Sequence, residues 1–307
     1  MKQLLIGTDL CRCLLAWLIF AMPARSPAAE VFDLAERKAV TDFLRLPAGW
    51  SLGPCSAVSV NRQGEIFIFH RGDHPIIVCD AKGKYLRSWG DGLIGSAHGL
   101  RIDGNDDVWV TDIGNHRVFK FDSQGKLLLS LGTGKPGNGT DEFNKPTDLA
   151  FGPKGEIYVT DGYGNARVLV FSPSGALLHS WGKPGRAEGE FRIPHSIVID
   201  RQGRLLVGDR ENDRIQIFDV DGKLLDVWNG FAPYGLAFDR HGTLYVADGR
   251  ANQLLQLDAA GRVVGRFGRE GTAAGEFTLP HMLAFDADDN LLITEIGGKR
   301  VQRLVRE

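Results

Sequence analysis

Three histidines of this chain occur in closely similar surroundings, each at the start of a short apolar run. They are His98 in HGLRID, His195 in HSIVID and His281 in HMLAFD. Three neutral imidazoles with a vacant fourth position form one of the known ligand sets of a catalytic zinc ion. The alternative is three separately hydrogen-bonded histidines that line a polar channel. The choice between them depends on the fold that positions the three side chains.

A four-part pattern recurs from about residue 55 onward. Its second copy, for example, reads HGLRID, then DVWVTDIGNHRVFKFD, then GKLLLSLG, and each copy would form one blade of a propeller. Four-stranded units repeated around a ring, with short protected edges, are the propeller solution to the edge-strand problem. The pattern predicts an all-β, six-bladed β-propeller. Its sixth copy contains three strands, and we expect residues 40–46 to supply the fourth strand and close the ring.

The histidines share one repeat position, the residue that opens the first strand of a blade. In blade order, the residues at this position are Ser56, His98, Thr147, His195, Tyr234 and His281. First strands are innermost, and alternate blades of a six-fold ring lie about a third of a turn apart. The spacing therefore favours one metal ion on the axis, with His98, His195 and His281 as its ligands.

Residues that most blades share are expected to serve the blade. Four aspartates at one repeat position and four asparagines at another are predicted to hold turns by side-chain to backbone hydrogen bonds. These residues are Asp112, Asp161, Asp209 and Asp248, with Asn115, Asn165, Asn212 and Asn252.

The starts of the first strands, and so the histidines, lie at one opening of the central channel of the propeller, which we call the histidine mouth. The turn after the second strand lies at the same mouth, because antiparallel pairing places it beside the start of strand one. Most blades have glycine or isoleucine there, but blade one has Arg71, blade four has Arg210, and blade three inserts Tyr163. We predict that the arginines bind a substrate carboxylate. A phenol beside a cation loses its proton more easily, so Tyr163 is the predicted general base. In the alternative, the arginines pair with Asp73 or Glu211 and brace the loops.

Residues 1–29 have the order of basic, apolar and small residues that is typical of a secretory signal peptide. We expect cleavage near Ala29 and export to the periplasm or the extracellular space, with residues 30–307 as a single domain. An uncleaved membrane anchor is the alternative. Cys55 and Cys79 remain after cleavage, and the sequence leaves open whether they form a disulfide.

Charge is nearly balanced, with 36 basic and 38 acidic residues and a formal net charge of −2. This balance argues against a nucleic-acid partner. We expect a monomer without stable membrane association after cleavage.

The repeat resembles the NHL family of propellers. The departures from the repeat resemble, more specifically, the peptidyl-α-hydroxyglycine α-amidating lyase family. The matching stretches are FHRGDH at 69–74, HGL at 98–100 with DVWVTD at 107–112, PTDLA at 146–150 through DGYGNAR at 161–167, PHSI at 194–197 through DREN at 209–212, and PH at 280–281.

This resemblance implies a lyase that converts a peptide with a C-terminal α-hydroxyglycine into a peptide amide and glyoxylate. It also implies roles for six residues. They are zinc ligation for His98, His195 and His281, carboxylate binding for Arg71 and Arg210, and base catalysis for Tyr163.

The sequence departs from that family at a structural calcium site. The family has an aspartate directly after its third histidine, and here this residue is Met282. The backbone carbonyls of Val58 and Leu100 match the other calcium ligands, but without the carboxylate we do not expect tight calcium binding. Disulfides of animal members are also absent, since their positions here include Asn144 and Gly164.

Two other functions are compatible with the sequence. A non-catalytic NHL propeller would bind a peptide, glycan or protein partner at one mouth and would need no metal. A lactonase-like hydrolase would use an axial calcium ion, which prefers oxygen ligands to the imidazoles found here.

Overall fold

The computed structural model describes Leu34 and residues 37–306 of the chain. This part is all-β and forms six four-stranded antiparallel sheets, which confirms the predicted six-bladed propeller. The first strands of neighbouring blades contact one another around the ring and so surround its axis. The predicted signal peptide lies outside the described residues. In the described part, no helix is long and apolar enough to cross a membrane.

The strands are named in chain order. They are β1 (Arg37–Val40), β2 (Cys55–Val60), β3 (Ile66–His70), β4 (Ile76–Cys79), β5 (Tyr85–Trp89), β6 (Ala97–Ile102), β7 (Val108–Asp112), β8 (Arg117–Phe121), β9 (Leu127–Leu131), β10 (Asp148–Phe151), β11 (Ile157–Asp161), β12 (Arg167–Phe171), β13 (Leu177–Trp181), β14 (Pro194–Ile199), β15 (Leu205–Asp209), β16 (Arg214–Phe218), β17 (Leu224–Asn229), β18 (Pro233–Phe238), β19 (Leu244–Asp248), β20 (Gln253–Leu257), β21 (Val263–Phe267), β22 (Pro280–Phe285), β23 (Leu291–Glu295) and β24 (Arg300–Arg306). A short 3₁₀ helix, Arg210–Asn212, follows β15.

Each blade takes four consecutive strands, except the last. Blades one to five are β2–β5, β6–β9, β10–β13, β14–β17 and β18–β21, and blade six has the order β1-β24-β23-β22. The second strand of every blade is buried throughout, because neighbouring blades cover both of its faces.

Blade six is completed by β1, which pairs antiparallel with β24. An N-terminal closing strand is therefore confirmed, but its predicted position at residues 40–46 is wrong. Residues 41–46 follow the outer edge of blade one instead. The Arg45 amide donates to the Gly83 carbonyl at 2.8 Å, and the Tyr85 amide donates to the Arg45 carbonyl at 3.2 Å. The apolar residues Phe43, Leu44 and Leu46 pack against the blade-one core, which explains this placement.

The tryptophans that close the fourth strands pack against the next blade. Trp89 of blade one makes edge contacts with Phe67 of its own blade and Phe121 of blade two, with ring centroids 6.2 and 6.1 Å away. Gly125 of blade two has a φ of +90°, and a Cβ there would lie 2.6 Å from the Trp89 ring. Trp181 meets Gly222 in the same way. The repeated tryptophan and turn glycine thus set the spacing between blades.

The repeated aspartates hold the turns as predicted. The buried Asp112 carboxylate accepts hydrogen bonds from the amides of Gly95 and Ser96, which precede the first strand, at 2.7 and 2.8 Å. It also accepts from the amide of Gly114, in the turn after the second strand, at 2.9 Å. One carboxylate therefore joins the two segments that form the histidine mouth of its blade.

Cys55 and Cys79 are free thiols in the core of blade one. Burial raises the pKa of both thiols, that of Cys79 to about 12. They remain protonated at neutral pH and pack as small apolar side chains.

Substitutions in β1 test whether this strand closes the ring. Ala39 packs against the apolar cluster between blades five and six, whereas its neighbour Lys38 is exposed on the opposite face of β1. Ala39→Asp places a charge against apolar side chains and should lower the free energy of unfolding by about 2 kcal/mol in urea denaturation. Lys38→Asp, on the solvent face, should change it little. Equal effects of the two substitutions would show that β1 does not dock as described.

Candidate metal centre and active site

The three histidines predicted as ligands meet on the axis of the ring. Their candidate ligand atoms all lie within 4.8 Å of one another. The ring centroids are 4.7, 4.8 and 4.9 Å apart, and all three side chains are buried. The structure therefore brings together residues that are at least 86 positions apart in the sequence, as alternate-blade placement requires.

Each imidazole is fixed by the main chain of the next blade around the ring. The three Nδ1-to-carbonyl pairs, each separated by 2.6 Å, are His98 with Thr147, His195 with Tyr234, and His281 with Ser56. A carbonyl oxygen only accepts hydrogen bonds, so Nδ1 carries the proton in each of the three imidazoles. The lone pair of each neutral imidazole is therefore on Nε2.

Burial keeps these imidazoles neutral. It lowers the pKa of His98 and His195 well below the usual range, and that of His281 to about 3. Nearby positive charge lowers these pKa values further. Arg210 acts on all three histidines, Arg71 acts on His98 and His281, and the neighbouring histidines act on His98 and His195. A neutral imidazole is the form that binds a metal ion.

Tyr163 lies directly over this centre. Its hydroxyl oxygen is 3.0 Å from Nε2 of His98 and 3.1 Å from Nε2 of His195. Nη1 of Arg210 donates to the same hydroxyl at 3.3 Å. The extra residue in the blade-three turn thus carries a phenol from the rim of the mouth to the axis, as the sequence predicted.

Arg71 reaches the centre from blade one. Its Nε donates to the Ala97 carbonyl at 3.0 Å, and its guanidinium interacts with the phenol of Tyr163. Burial lowers the pKa of this guanidinium, and the nearby phenol opposes that effect. Arg71 forms no ion pair with Asp73 or with another residue of the described chain.

Arg210 has a mixed environment. Its Nε donates to Glu211 at 2.9 Å, so the ion pair considered as the alternative from the sequence is present. Arg250 also contacts that carboxylate, at 3.3 Å. Arg210 nevertheless keeps Nη1 on Tyr163, so the ion pair does not remove its guanidinium from the site.

Two residues of the site were given no role in the sequence analysis. The centre of the Arg210 guanidinium lies 4.7 Å from the ring of Tyr234 and 5.4 Å from that of Tyr163, so two aromatic faces hold this cation. His70 is buried beside Arg71, accepts at Nδ1 from the Gly53 amide at 3.0 Å and donates from Nε2 to the His74 carbonyl at 3.1 Å. The signals were available, because Tyr234 stands at the histidine repeat position and His70 lies in the FHRGDH stretch beside Arg71.

The fold and the site define a class: an NHL-type propeller with three histidines on its axis. The NHL repeat family matches residues 95–121, 143–171 and 191–218. Human NHL repeat-containing protein 3 is 33% identical over 313 residues, covering 91% of this chain and 89% of that protein. The chain belongs to the NHL-repeat family.

Within that family, the chain is homologous to the α-amidating lyases, which confirms the predicted resemblance. A probable peptidyl-α-hydroxyglycine α-amidating lyase of Caenorhabditis elegans is 36% identical over 197 residues, 55% of this chain and 56% of that protein. The chain spans only 22–23% of the length of the Xenopus laevis peptidyl-glycine α-amidating monooxygenases that it matches. A gluconolactonase structure from Xanthomonas campestris shares the fold, with 17% identity, a TM-score of 0.68, and coverage of 89% and 90% of the two chains.

The buried histidines predict how stability depends on pH in the metal-free protein. An unfolded imidazole takes up a proton near pH 6.5, whereas folding lowers the pKa of His281 to about 3. Between these values the unfolded state binds more protons, so the free energy of unfolding falls as pH falls, by about 1.4 kcal/mol per pH unit for each proton. Urea denaturation from pH 7 down to the acid limit of folding measures this slope. His281→Gln should reduce the slope by one proton, and an unchanged slope would contradict the assignment.

Proposed function

We propose that this protein is a zinc-dependent lyase that cleaves the carbinol C–N bond of a peptidyl- or acyl-α-hydroxyglycine, giving an amide and glyoxylate. The observation that carries this proposal is the Tyr163 hydroxyl, 3.0 and 3.1 Å from Nε2 of two axial histidines and 3.3 Å from a guanidinium nitrogen. A candidate base, a metal ligand set and a carboxylate-binding cation thus share one pocket. Relatives named as α-amidating lyases in worm and fly support the same reaction.

The nitrogen atoms at the centre suit a zinc ion. Three Nε2 lone pairs converge there, yet the phenol of Tyr163 has one proton and can donate to only one of them. No described residue donates a hydrogen bond to Nε2 of His281. Nε2 of His98, His195 and His281 would hold the cation, with their Nδ1 protons fixed by backbone carbonyls as is usual for metal-binding histidines. When bound, zinc would act as a Lewis acid that makes a neighbouring hydroxyl group more acidic.

In the proposed reaction, Tyr163 accepts the proton of the substrate hydroxyl. As that proton leaves, the O–H electron pair forms the aldehyde C=O bond of glyoxylate. The electron pair of the breaking C–N bond goes to the amide nitrogen, which takes up one proton. Tyr163 can return the proton that it removed, so the reaction needs no external acid, base or redox partner.

Arg71 and Arg210 approach Tyr163 from blades one and four. In the proposed complex, their guanidinium groups bind the carboxylate that becomes part of glyoxylate. This contact places the adjacent carbinol carbon beneath the phenol, which is the orientation that C–N cleavage requires. The stacking of Arg210 between Tyr163 and Tyr234 limits the positions that the carboxylate can take.

The direct test is release of glyoxylate from an N-acyl-α-hydroxyglycine by the zinc-loaded protein. Tyr163→Phe removes the base but no metal ligand, and should lower kcat by about 10²–10⁴ with bound zinc unchanged. His195→Ala should lose both zinc and activity, and a chelator should abolish activity in the wild type. His179→Ala, which alters a histidine of the outer strand β13, is the matched control and should leave both zinc content and rate unchanged. A folded, zinc-loaded wild type that releases no glyoxylate would refute the proposal.

A second substrate separates carboxylate binding from positioning of the base. An N-(hydroxymethyl)amide has the same carbinol C–N bond but lacks the carboxylate, and its cleavage gives an amide and formaldehyde. Arg71→Gln should lower kcat/KM for the hydroxyglycine substrate about 10- to 100-fold, because a charge-assisted hydrogen bond is lost. The same variant should leave kcat/KM for the N-(hydroxymethyl)amide nearly unchanged. Equal losses on both substrates would show that Arg71 positions Tyr163 and does not bind the carboxylate.

The second candidate is a non-catalytic propeller that binds a peptide, glycan or protein partner at the histidine mouth. It is favoured by the similarity over nearly the whole chain to human NHL repeat-containing protein 3, whose name specifies repeats and no reaction. This candidate predicts partner binding that persists in His195→Ala and no release of glyoxylate.

A further inference from the structure

A second polar cluster lies on the axis, one residue deeper along the first strands than the histidines. Asp148 follows Thr147, the acceptor of the His98 hydrogen bond, and its side chain is fully buried. The guanidinium of Arg101 binds this carboxylate in a bidentate manner, with Nε–Oδ1 at 3.0 Å and Nη2–Oδ2 at 2.6 Å. Arg101 comes from blade two and Asp148 from blade three.

The cluster extends across the axis to two more blades. Ser196 of blade four donates to Oδ2 of Asp148 at 2.8 Å, and Nη2 of Arg101 lies 3.4 Å from the Ser196 hydroxyl. The same nitrogen lies 3.4 Å from the Leu236 carbonyl of blade five. Because one guanidinium touches residues of blades three, four and five while its own backbone is in blade two, it must lie on the axis.

The family's calcium site does not fit the residues of this chain. Met282, which replaces the aspartate, is only 2% exposed and packs in an apolar cluster that includes Ala57 and Leu100. A buried carboxylate stands at the same repeat position in blade three, on the opposite side of the ring, as Asp148 of the PTDLA stretch. Leu236, whose carbonyl faces Arg101, shares its repeat position with Val58 and Leu100. A carboxylate and a main-chain carbonyl thus surround a cation half a turn away from the family's site.

We propose that the guanidinium of Arg101 serves as the axial structural cation of this protein, so that the ring closes without a bound calcium ion. A guanidinium keeps its charge at all physiological pH values and offers several fixed donors to a carboxylate. It is also tethered to the chain. A free ion stabilises the folded state only when its concentration exceeds its dissociation constant, whereas the contribution of Arg101 does not depend on the calcium concentration. This inference stands apart from the proposed lyase reaction.

The test compares Tm and bound calcium, with and without millimolar calcium chloride, in the zinc-loaded protein. The wild type should bind no calcium at the axis and show the same Tm in both conditions. Arg101→Gln leaves the Asp148 carboxylate buried without its cation, so its Tm should fall by about 10 °C and partly recover when calcium is added. Arg62→Gln breaks a surface arginine–aspartate pair with Asp106 and should behave like the wild type.

A double variant keeps the test decisive if Arg101→Gln does not fold. Arg101→Met with Asp148→Asn removes both charges together, and it should fold and remain insensitive to calcium because no unpaired carboxylate is left. A calcium-dependent rise in the Tm of the wild type would overturn the proposal. So would a folded Arg101→Gln variant whose Tm does not respond to calcium.

Discussion

The candidate site depends on the hydrogen bond from each histidine Nδ1 to a carbonyl oxygen of the next blade. All three bonds are 2.6 Å long, and each crosses a boundary between blades. The bond from His281 to Ser56 joins positions 225 residues apart, so it forms only when blade six docks against blade one. The orientation of the imidazoles is therefore a consequence of ring closure. Strand β1, which completes blade six, contributes indirectly to the same geometry.

The repeat supplies the frame, and its interruptions supply the chemistry. The shared aspartates and tryptophans fix turns and blade spacing, and none of them reaches the axial centre. Tyr163, Arg71 and Arg210 occupy turns where other blades have small or aliphatic residues, and the structure places all three side chains around the histidines. Arg101, which pairs with Asp148, also lines a cavity of about 360 Å³ at the opposite mouth. We expect the proposed substrate to enter from the histidine mouth, where Tyr163, Arg71 and Arg210 lie.

Much of this arrangement could be predicted from the sequence, because a repeat converts sequence spacing into angular position. That conversion predicted the blades, the meeting of His98, His195 and His281, and the place of Tyr163. It failed where contacts depend on packing between blades. The closing strand was placed too late in the chain, because the apolar residues Phe43, Leu44 and Leu46 pack against blade one and leave β1 to pair with blade six. The pairing of Arg101 with Asp148 was missed as well, since neither residue has an unusual local sequence and their contact exists only across the axis.

The proposed function requires the three imidazoles to present Nε2 to one zinc ion on the axis. X-ray absorption at the zinc edge of the zinc-loaded protein measures this arrangement. Three histidine nitrogens are expected at about 2.0–2.1 Å from one zinc ion, with one histidine fewer in a folded His281→Ala variant. Zinc bound mainly by oxygen atoms, or a spectrum that His281→Ala does not change, would contradict it.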